Sequence, residues 1–526
     1  MKNNNYQTHY RTGARNVQLK IDEAFAERVI PANDSVRLLE QTVEEMDLRP
    51  LWSTYKRLGR KPATHPVTLL KVLLYANMEG IYSSRDIESA CKRDINFIWL
   101  LNGAKAPNHH EIARFRSQRL PACAELLFYT LVKLLGDKGE ICYEHLFVDG
   151  TKIEANANKY SFVWKKSTTK YEARLLDKLE LVCGQIRERH GILAIQAEEV
   201  LSSLEERVTG PFAHGRGKRK TPLQRDIELL RGLLDRKVKY AKYQNTFKGR
   251  NSFSKTDTDA TFMHMKEDHM RNAQLKPGYN VQLGVEGEYI TGILLSSERS
   301  DQLTLIPFMN NMNEHLGRAY RDATLDAGYE SEENYTYFEG IETVCYIKPQ
   351  NYERSKTKKF KSNMALRENM AYDPELDEYT CVQGRKLRAQ YEGIRKSKSG
   401  FESQVTYYEC EGCEDCPRKK QCTRSKGNRK LQVSKRFVAQ RAESLARITS
   451  EQGVLLRMNR SIQSEGAFGV IKQNYAFRQF LLRGNRKVSA EIFLLSMAYN
   501  STLTHQRGKT TRKSLMVLDF RVVSCG

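Results

Sequence analysis

Two aspartates stand in settings where a carboxylate can hold a hard cation. Asp149 ends the apolar run LFV and precedes a glycine, and Asp326 ends the run ATL and precedes AG. Both patterns predict an acid at the end of a strand. Open α/β sheets place ligands outside the carboxyl ends of their strands, so two such acids on neighbouring strands are expected to share divalent cations. Taken singly, an aspartate before glycine is more often only a turn former.

Glu465 is the third candidate acid. It lies in SIQSEGAFGVIKQNYAFRQF, whose pattern predicts a helix over roughly 460–480, and Lys472 follows seven residues later. Two helical turns put both side chains on one face. A carboxylate beside a lysine can complete a metal site and bind phosphate, although an exposed, salt-bridged helix has the same spacing. Glu491, on a second helix predicted over 489–504, is the rival to Glu465, but its setting AEIFLLSMAYN favours a packing helix.

Four cysteines in CEGCEDCPRKKQC form a compact set of thiols: Cys410, Cys413, Cys416 and Cys422. Two, two and five residues separate them, and four thiols can supply the ligands of a structural Zn²⁺ ion. The lysines and arginines around them favour the thiolate form that binds metal. Structural zinc sites usually separate two ligand pairs by a longer loop, so free thiols are the alternative interpretation.

The chain is basic along its whole length. Lys and Arg total 86 against 63 Asp and Glu among 526 residues, a formal net charge of +23. Phosphate neutralisation supplies most sequence-independent affinity for nucleic acid, so this charge favours a polyanionic partner. No apolar run approaches the roughly 20 residues that span a bilayer. The polar start MKNNNYQTHYRTG lacks the apolar core of a secretory signal, so we expect a cytoplasmic protein.

The N-terminal part, residues 1–140, is predicted to be a helical domain. Apolar residues at helical spacing follow Pro66, and Ser83 and Asn108 are N-cap candidates for two further helices. The third helix carries Arg114 and Arg116. An arginine-rich helix can enter a DNA groove, although such a face is about as often merely solvated.

The rest of the chain alternates between an α/β core and insertions. Residues 141–165 and 250–349 contain strand, helix, strand, helix and strand patterns, which predict a sheet with parallel members. Between them, apolar residues at steps of three and four predict an inserted antiparallel helical hairpin over 166–249, with a basic tip. Residues 350–450 form a basic, cysteine-rich insertion. Residues 451–526 return to the core with the glutamate-bearing helix.

Four segments, in order, resemble the DDE transposases of bacterial insertion sequences: FVDGTKIEANANK, KPGYNVQ, ATLDAGY and NRSIQSEGAFGVIK. With NHHEIARFRSQ in the N-terminal part, they are similar to the group named after insertion sequence eleven-eighty-two, and the resemblance covers nearly the whole chain. It implies an RNase H-like core, a mixed α/β sheet with flanking helices. In that core Asp149, Asp326 and Glu465 match the catalytic triad, and Lys472 matches the lysine that follows the glutamate after six intervening residues.

The chain departs from the family pattern before the glutamate. Related transposases have a tyrosine and then an arginine, with three residues between arginine and glutamate, whereas four residues separate Arg460 from Glu465 and the tyrosine is missing. On a continuous helix the extra residue rotates Arg460 off the face of the glutamate. Arg460 is therefore expected to contact DNA, as are Lys472, Arg114 and Arg116.

The resemblance implies an enzyme that binds the terminal inverted repeats of its element, cuts DNA and joins the ends to a target. Two Mg²⁺ ions, for which Mn²⁺ can substitute, would be held by the three acids and would activate a water and then a 3′-hydroxyl. The partner is double-stranded DNA, and a homodimer or higher synaptic assembly is expected because two ends must be held together. A catalytically silent DNA-binding derivative and a nuclease that joins no strands are the alternatives. The resemblance also implies a cysteine-rich insertion, without specifying its metal.

Overall fold

The computed structural model describes residues 23–55, 62–215, 219–265 and 274–522. They divide into two units. Unit 1 comprises the described residues of Met1–Leu134 and Phe493–Gly526, and unit 2 comprises those of Leu135–Ile492. In the described part of the chain, no helix is both long and apolar enough to cross a bilayer.

The first helices of the chain lie in unit 1, and the last of them continues into unit 2. They are α1 Glu23–Val29, α2 Ser35–Glu45, α3 Arg49–Trp52, α4 Pro66–Met78, α5 Ser84–Arg93, α6 Ile95–Leu101, α7 His109–Arg114 and α8 Ala124–Asp137. The three helices expected from the pattern are confirmed as α4, α5 and α7. The Asn108 side chain accepts a hydrogen bond from the backbone N–H of Glu111 at 2.9 Å, as an N-cap should. In a full capping box the Glu111 carboxylate would also accept a hydrogen bond from the backbone N–H of Asn108. It accepts instead from the backbone N–H of Thr64 at 2.9 Å, so this second bond is not formed.

A mixed sheet forms the centre of unit 2. The strands up to residue 347 are β1 His145–Glu154, β2 Phe162–Trp164, β3 Ser252–Ser254, β4 Thr261–His264, β5 Leu275–Glu286, β6 Tyr289–Ser296, β7 Asp322–Leu325 and β8 Val344–Ile347. Six of them form one sheet in the order β4-β5-β1-β7-β8, with β6 paired to β5, and β2 pairs with β3. β1 is antiparallel to β5 and parallel to β7, and β7 is parallel to β8. The expected sheet with parallel members is confirmed.

A helical hairpin separates β2 from β3. It consists of α9 Lys165–His190, α10 Ala197–Glu205 and α11 Pro222–Phe247. The apolar residues of the predicted seam form its core, among them Leu179, Ile186 and Leu230. Asp226 accepts from Arg189 and His190 at distances of 2.6 to 2.9 Å, which ties the end of α9 to α11. The basic tip falls partly on residues 216–218, outside the described residues.

Two further helices of unit 2 connect the parallel strands. α12 Leu305–Leu316 leads from β6 to β7, and α13 Glu332–Glu339 leads from β7 to β8. Both helices were expected from the alternating pattern of strands and helices. They account for the parallel pairing, because parallel neighbours need a crossover connection.

Residues 350–450 contain a second sheet that the sequence did not predict. The strands β9 Ala371–Asp373, β10 Glu378–Thr380, β11 Lys386–Lys396, β12 Glu402–Cys410 and β13 Lys430–Val433 form it in the order β13-β12-β11-β10-β9. The short helices α14 Tyr352–Ser355, α15 Lys358–Lys361 and α16 Lys419–Cys422 accompany it. Nearly every residue of β11 is exposed or half-buried, so this strand lacks the apolar alternation by which a strand is recognised.

The chain ends in three helices: α17 Lys435–Thr449, α18 Glu451–Gly469 and α19 Asn485–Val522. α18 continues as one π-helical turn over Val470–Asn474, and the helix expected to reach residue 480 ends there. Ala476 adopts a left-handed φ of 51°, and the Phe477 N–H donates to the carbonyl of Ile471. The next residues extend along β1, where the Phe480 N–H donates to the Glu154 carbonyl at 2.9 Å.

Candidate active site

The register of β1 and β7 brings two of the predicted acids together. Val148 pairs with Leu325 in the parallel ladder, so Asp149 and Asp326 are the next residues on two adjacent strands. β7 ends at Leu325, whereas β1 continues through Asp149 to Glu154 because its second half pairs with β5. Asp326 therefore follows a strand, as expected, but the expectation for Asp149 was wrong: it lies inside a strand, where the parallel pairing ends.

Each aspartate is oriented by the backbone that follows it. Asp149 Oδ1 accepts from the N–H of Gly150 at 2.8 Å, and Asp326 Oδ1 accepts from the N–H of Gly328 at 2.6 Å. Asp326 thereby caps the short 3₁₀ turn Ala327–Tyr329. Both carboxylates are held where the parallel pairing of β1 and β7 ends, the edge at which open α/β sheets bind ligands.

Arg460 reaches the first of these acids. Its Nη1 lies 3.1 Å from Asp149 Oδ2, and both side chains are only 16% exposed. α18 packs on β1, β5 and β7, which carries the guanidinium to the sheet. Arg460 was predicted to contact DNA. In the structure it forms an ion pair with an acid of the site, and a charge-assisted hydrogen bond of this kind orients the carboxylate.

Glu465 is exposed on α18, and among the described residues it does not form a metal-binding group of three with the two aspartates. Five residues along a helix correspond to a rotation of about 140°, so Glu465 and Arg460 leave the helix in different directions. Ser464, next to Glu465, is buried. No hydrogen bond or ion pair joins the Glu465 side chain to another residue in the described part of the chain. The structure thus brings Asp149 and Asp326 together and leaves Glu465 outside that pair.

The acids fit a divalent cation in donor chemistry. Carboxylate oxygens are the ligands that Mg²⁺ and Mn²⁺ prefer, and Asp149 and Asp326 supply them on neighbouring strands. Glu465 has the same donor type but is not assembled with them. Within the described ranges, no three His, Cys, Asp or Glu side chains are grouped so as to hold a metal ion.

A further acid, Asp301, lies beside the two aspartates. Its Oδ1 accepts hydrogen bonds from the side-chain amides of Asn280 at 2.7 Å and Gln282 at 3.0 Å. A Cβ atom built on Gly150 would lie 2.9 Å from Asp301 Oδ1, and one on Gly328 would lie 3.2 Å from Oδ2. Sequence reasoning missed this acid, because RSDQL is an ordinary loop sequence. Asp301 bonds to Asn280 and Gln282 of β5, and it reaches the site because β5 pairs with β1.

The other predicted DNA contacts differ in exposure. Arg114 is exposed at the end of α7. Arg116 lies in the π turn that follows, is 6% exposed, and donates from Nη1 to the carbonyl of Tyr82 at 2.7 Å. Lys472 is half-buried in the π turn after α18. Lys472 thus follows Glu465 after the α-helix has given way to a π turn, and the continuous α-helix on which the two were predicted to share a face ends at Gly469.

Glu491 has a structural role. Only 5% of the residue is exposed, and its two carboxylate oxygens accept from the backbone N–H groups of Leu481 and Leu482 at 2.8 and 3.0 Å. These bonds give partners to two backbone N–H groups in a segment outside the helices. Glu465, the preferred candidate, has no such structural engagement.

The clustered cysteines share one cavity with a fifth that the sequence did not single out. The cavity, of about 30 Å³, is lined by Cys381, Cys410, Cys413, Cys416 and Cys422. Cys381 follows β10 and stands alone in EYTCVQG, so spacing gave no signal for it. Burial, with the neighbouring thiols of Cys413 and Cys381, raises the pKa of Cys410 to about 12, and burial also raises the pKa of Cys422. The expectation that the basic neighbours favour thiolate was therefore wrong for these two cysteines. Four basic side chains also line the cavity: Arg385, Arg418, Lys419 and Arg429.

A mixed α/β sheet with paired carboxylates, in a strongly basic chain that also has a helical unit, is consistent with enzymes that act on nucleic-acid phosphates. Residues 24–118 match the family model described as Transposase domain (DUF772), and residues 380–502 match the one described as Transposase DDE domain. Together the two matches support an insertion-sequence transposase of the DDE type. The second covers Glu465 but not Asp149 or Asp326. Searches of curated proteins and of solved structures found no match.

Proposed function

We propose that the protein is a DDE transposase that binds the terminal inverted repeats of its insertion sequence, cuts DNA and transfers the strands to a target. In this proposal it has an RNase H-like core and is a member of the group named after insertion sequence eleven-eighty-two. The observation that carries the proposal is the β1–β7 register, which makes Asp149 and Asp326 neighbours although the helical hairpin separates them in sequence. The mixed sheet with flanking helices is what the resemblance implies for that core.

Asp149, Asp326 and Glu465 are the proposed ligands of two Mg²⁺ ions, with Mn²⁺ as substitute. When bound, the ions supply Lewis acidity for an in-line displacement at phosphorus. Asp149 and Asp326 are already oriented by backbone N–H groups, so their ordering costs little when DNA binds. Glu465 has no partner among the described residues, which leaves its carboxylate available to join them.

The basic side chains are proposed to hold DNA. Arg460 offsets part of the charge of Asp149, and the ammonium of Lys472 is the proposed contact to a phosphate near the reacting bond. Arg114 is exposed and free to reach a duplex, whereas Arg116 serves the fold of unit 1 through its bond to Tyr82. Double-stranded DNA, a homodimeric or higher synaptic assembly and a cytoplasmic location complete the proposal.

The test is cleavage of duplex DNA that carries the element's own ends, with Mg²⁺ or Mn²⁺. Asp149→Asn, Asp326→Asn and Glu465→Gln should each abolish cleavage and leave DNA binding largely intact, because each keeps the shape of the side chain and removes its charge. Glu451→Gln, an acid in the first turn of the same helix as Glu465, is the matched control and should cut normally. A variant of the three that cuts normally removes its residue from the site.

The same assay separates the proposed function from its alternatives. A wild-type protein that binds the ends but cuts in neither metal would be a silent DNA-binding derivative. One that cuts but never joins the cut end to target DNA would be a nuclease. Strand transfer of a pre-cut end, measured as a slower-migrating joint product, is the result that the proposal requires.

We also propose that the cysteine cavity holds a structural Zn²⁺ ion. Five thiols converge on a space of about 30 Å³, where a tetrahedral ion needs four of them. Zinc would have to displace the thiol proton of Cys410, whose pKa burial raises. Zinc would have to draw the sulfur atoms together, since they are not in ligand geometry. Elemental analysis of protein purified without chelators should find about one zinc per chain; none would end this part of the proposal.

A further inference from the structure

Asp301 is an acid outside the predicted triad that lies beside Asp149 and Asp326. We infer that Asp301 is a positioning residue that holds Asp149 and Asp326 in their mutual arrangement, acting through its neighbours rather than on the reacting atoms. The inference rests on the proposed function. It has two parts, the space that the carboxylate fills and the hydrogen bonds that it accepts.

The carboxylate lies against the glycines that follow the two aspartates. A Cβ atom on Gly150 would lie 2.9 Å from Asp301 Oδ1 and 2.5 Å from Gln282 Nε2, and one on Gly328 would lie 3.2 Å from Asp301 Oδ2. Real Cβ contacts are essentially never under 3.0 Å, so a side chain at Gly150 would have to displace the ends of Gln282 and Asp301. The same carboxylate thus fixes the backbone just after Asp149 and the turn just after Asp326.

The hydrogen bonds of Asp301 fix which way two amides face. A carboxylate only accepts, so the amide nitrogens of Asn280 and Gln282 must point towards it. The carbonyl oxygen of Gln282 then points away and accepts from the hydroxyl of Tyr329, at the end of the turn that Asp326 caps.

Tyr329 is fully buried, and its burial raises its pKa well above the ordinary value, so it stays a neutral donor. Gln282 also stands opposite Gly150 in the β1–β5 register. Asp301, at the start of a 3₁₀ turn, therefore connects β5, the backbone after Asp149 and the turn after Asp326. Removing its carboxylate takes one of two acceptors from the Gln282 amide nitrogen, which keeps its bond to Asn280 Oδ1 at 3.0 Å, and loosens the contact with both segments.

The second carboxylate oxygen distinguishes positioning from direct chemistry. Oδ2 of Asp301 accepts no hydrogen bond from any residue in the described ranges, and Oδ1 carries both amide bonds. An asparagine can keep its one oxygen on those amides and place its NH₂ group where Oδ2 stood. A positioning role therefore survives Asp301→Asn and is lost in Asp301→Ala, whereas a role that needs the negative charge is lost in both.

The experiment compares Asp301→Ala, Asp301→Asn and the control Glu298→Ala, a half-buried acid three residues earlier in the same loop. In single-turnover cleavage, Asp301→Ala should be slower by a factor on the order of 10 to 100, because small misplacements of reacting groups cost that much. Asp301→Asn and Glu298→Ala should stay within about threefold of wild type, and the affinity for DNA should not change in any of them. Unchanged cleavage in Asp301→Ala overturns the inference, and so does equal loss in Asp301→Asn, which would assign the charge a direct role.

Hydrogen exchange of the folded protein without DNA gives a second readout. Peptides that contain the amides of Gly150 and Gly328 should exchange faster in Asp301→Ala than in wild type, Asp301→Asn or Glu298→Ala. No difference overturns the positioning role even if cleavage falls. Failure of wild-type protein to cut any end DNA would sink the proposed function alone, and the exchange result would still decide whether Asp301 organises these two turns.

Discussion

Arg460 and Asp149 form an ion pair across 311 residues of sequence, with Nη1 3.1 Å from Oδ2 and both side chains largely buried. The pair connects α18, which carries Glu465, to the strand that carries the first aspartate. A partly buried pair of this kind orients its carboxylate more firmly than a surface pair would. It also gives Arg460 a position that its spacing from Glu465 did not suggest.

Removal of the guanidinium should impair catalysis more than folding. Arg460→Ala is expected to lower the cleavage rate on the order of 100-fold, as loss of one charged donor in an active site does. The free energy of unfolding should fall by only about 1 kcal/mol, since Asp149 keeps its bond from the Gly150 N–H. Arg457→Ala is the control, because Arg457 lies on the same helix and stacks over the ring of Tyr352. Equal losses of cleavage in both variants would contradict a specific role for Arg460.

Two glycines of α18 should respond in opposite ways to a methyl group. A Cβ on Gly453 would run into the backbone carbonyl of Arg447 and lie 2.8 Å from the Cα of Ile448, so Gly453→Ala should destabilise the chain by about 3 kcal/mol or more. Nothing lies within 4 Å of a Cβ on Gly466, and Gly466→Ala should stabilise the helix by about 0.5–1 kcal/mol. Urea unfolding of the two variants measures both. A tolerated Gly453→Ala would mean that the α17–α18 junction is not packed as described.

The two arginines near the end of α7 should separate DNA binding from stability. Arg114→Ala removes an exposed cation and should weaken DNA binding, with the slope of log K against log salt reduced by about 1. Arg116→Ala removes a buried side chain together with its hydrogen bond to the carbonyl of Tyr82 and should cost about 1–3 kcal/mol of stability. Gel-shift titrations at several salt concentrations, alongside thermal melts, measure the two effects. The reverse pattern would refute this division of roles.

Cys381 should behave as a member of the cysteine cavity. Cys381→Ser is expected to lower the zinc content, or the zinc affinity in competition with a chromophoric chelator, as much as Cys410→Ser does. Cys142→Ser, at an exposed single cysteine, should change neither. Thermal melts with and without chelator add a second measure, because metal binding to the folded state raises its stability. Full zinc content in Cys381→Ser would leave the other four thiols as the ligands.

Local patterns in the sequence were enough for many of the elements. The periodicity of 3.6 residues and the N-cap residues located α4, α5, α7 and the long hairpin helices, and short apolar runs located β7 and β8. Asp149 and Asp326 could be selected because each follows such a run. Residue type and charge do not depend on the fold. The sequence alone therefore also indicated that a set of acids in a basic chain could act on nucleic acid.

Tertiary structure decided what depends on pairing and packing between distant segments. Asp149 lies inside β1 because β5 extends the ladder beyond β7, and Asp301 and Cys381 join their sites only through contacts with other strands. The described residues of Phe493–Gly526 belong to the same unit as the first helices of the chain. The sheet of residues 350–450 escaped notice in part because its longest strand, β11, has no apolar alternation. Periodicity indicates which face of a segment is buried. Register and long-range hydrogen bonds determine which other segment covers that face, and they form only when the chain folds.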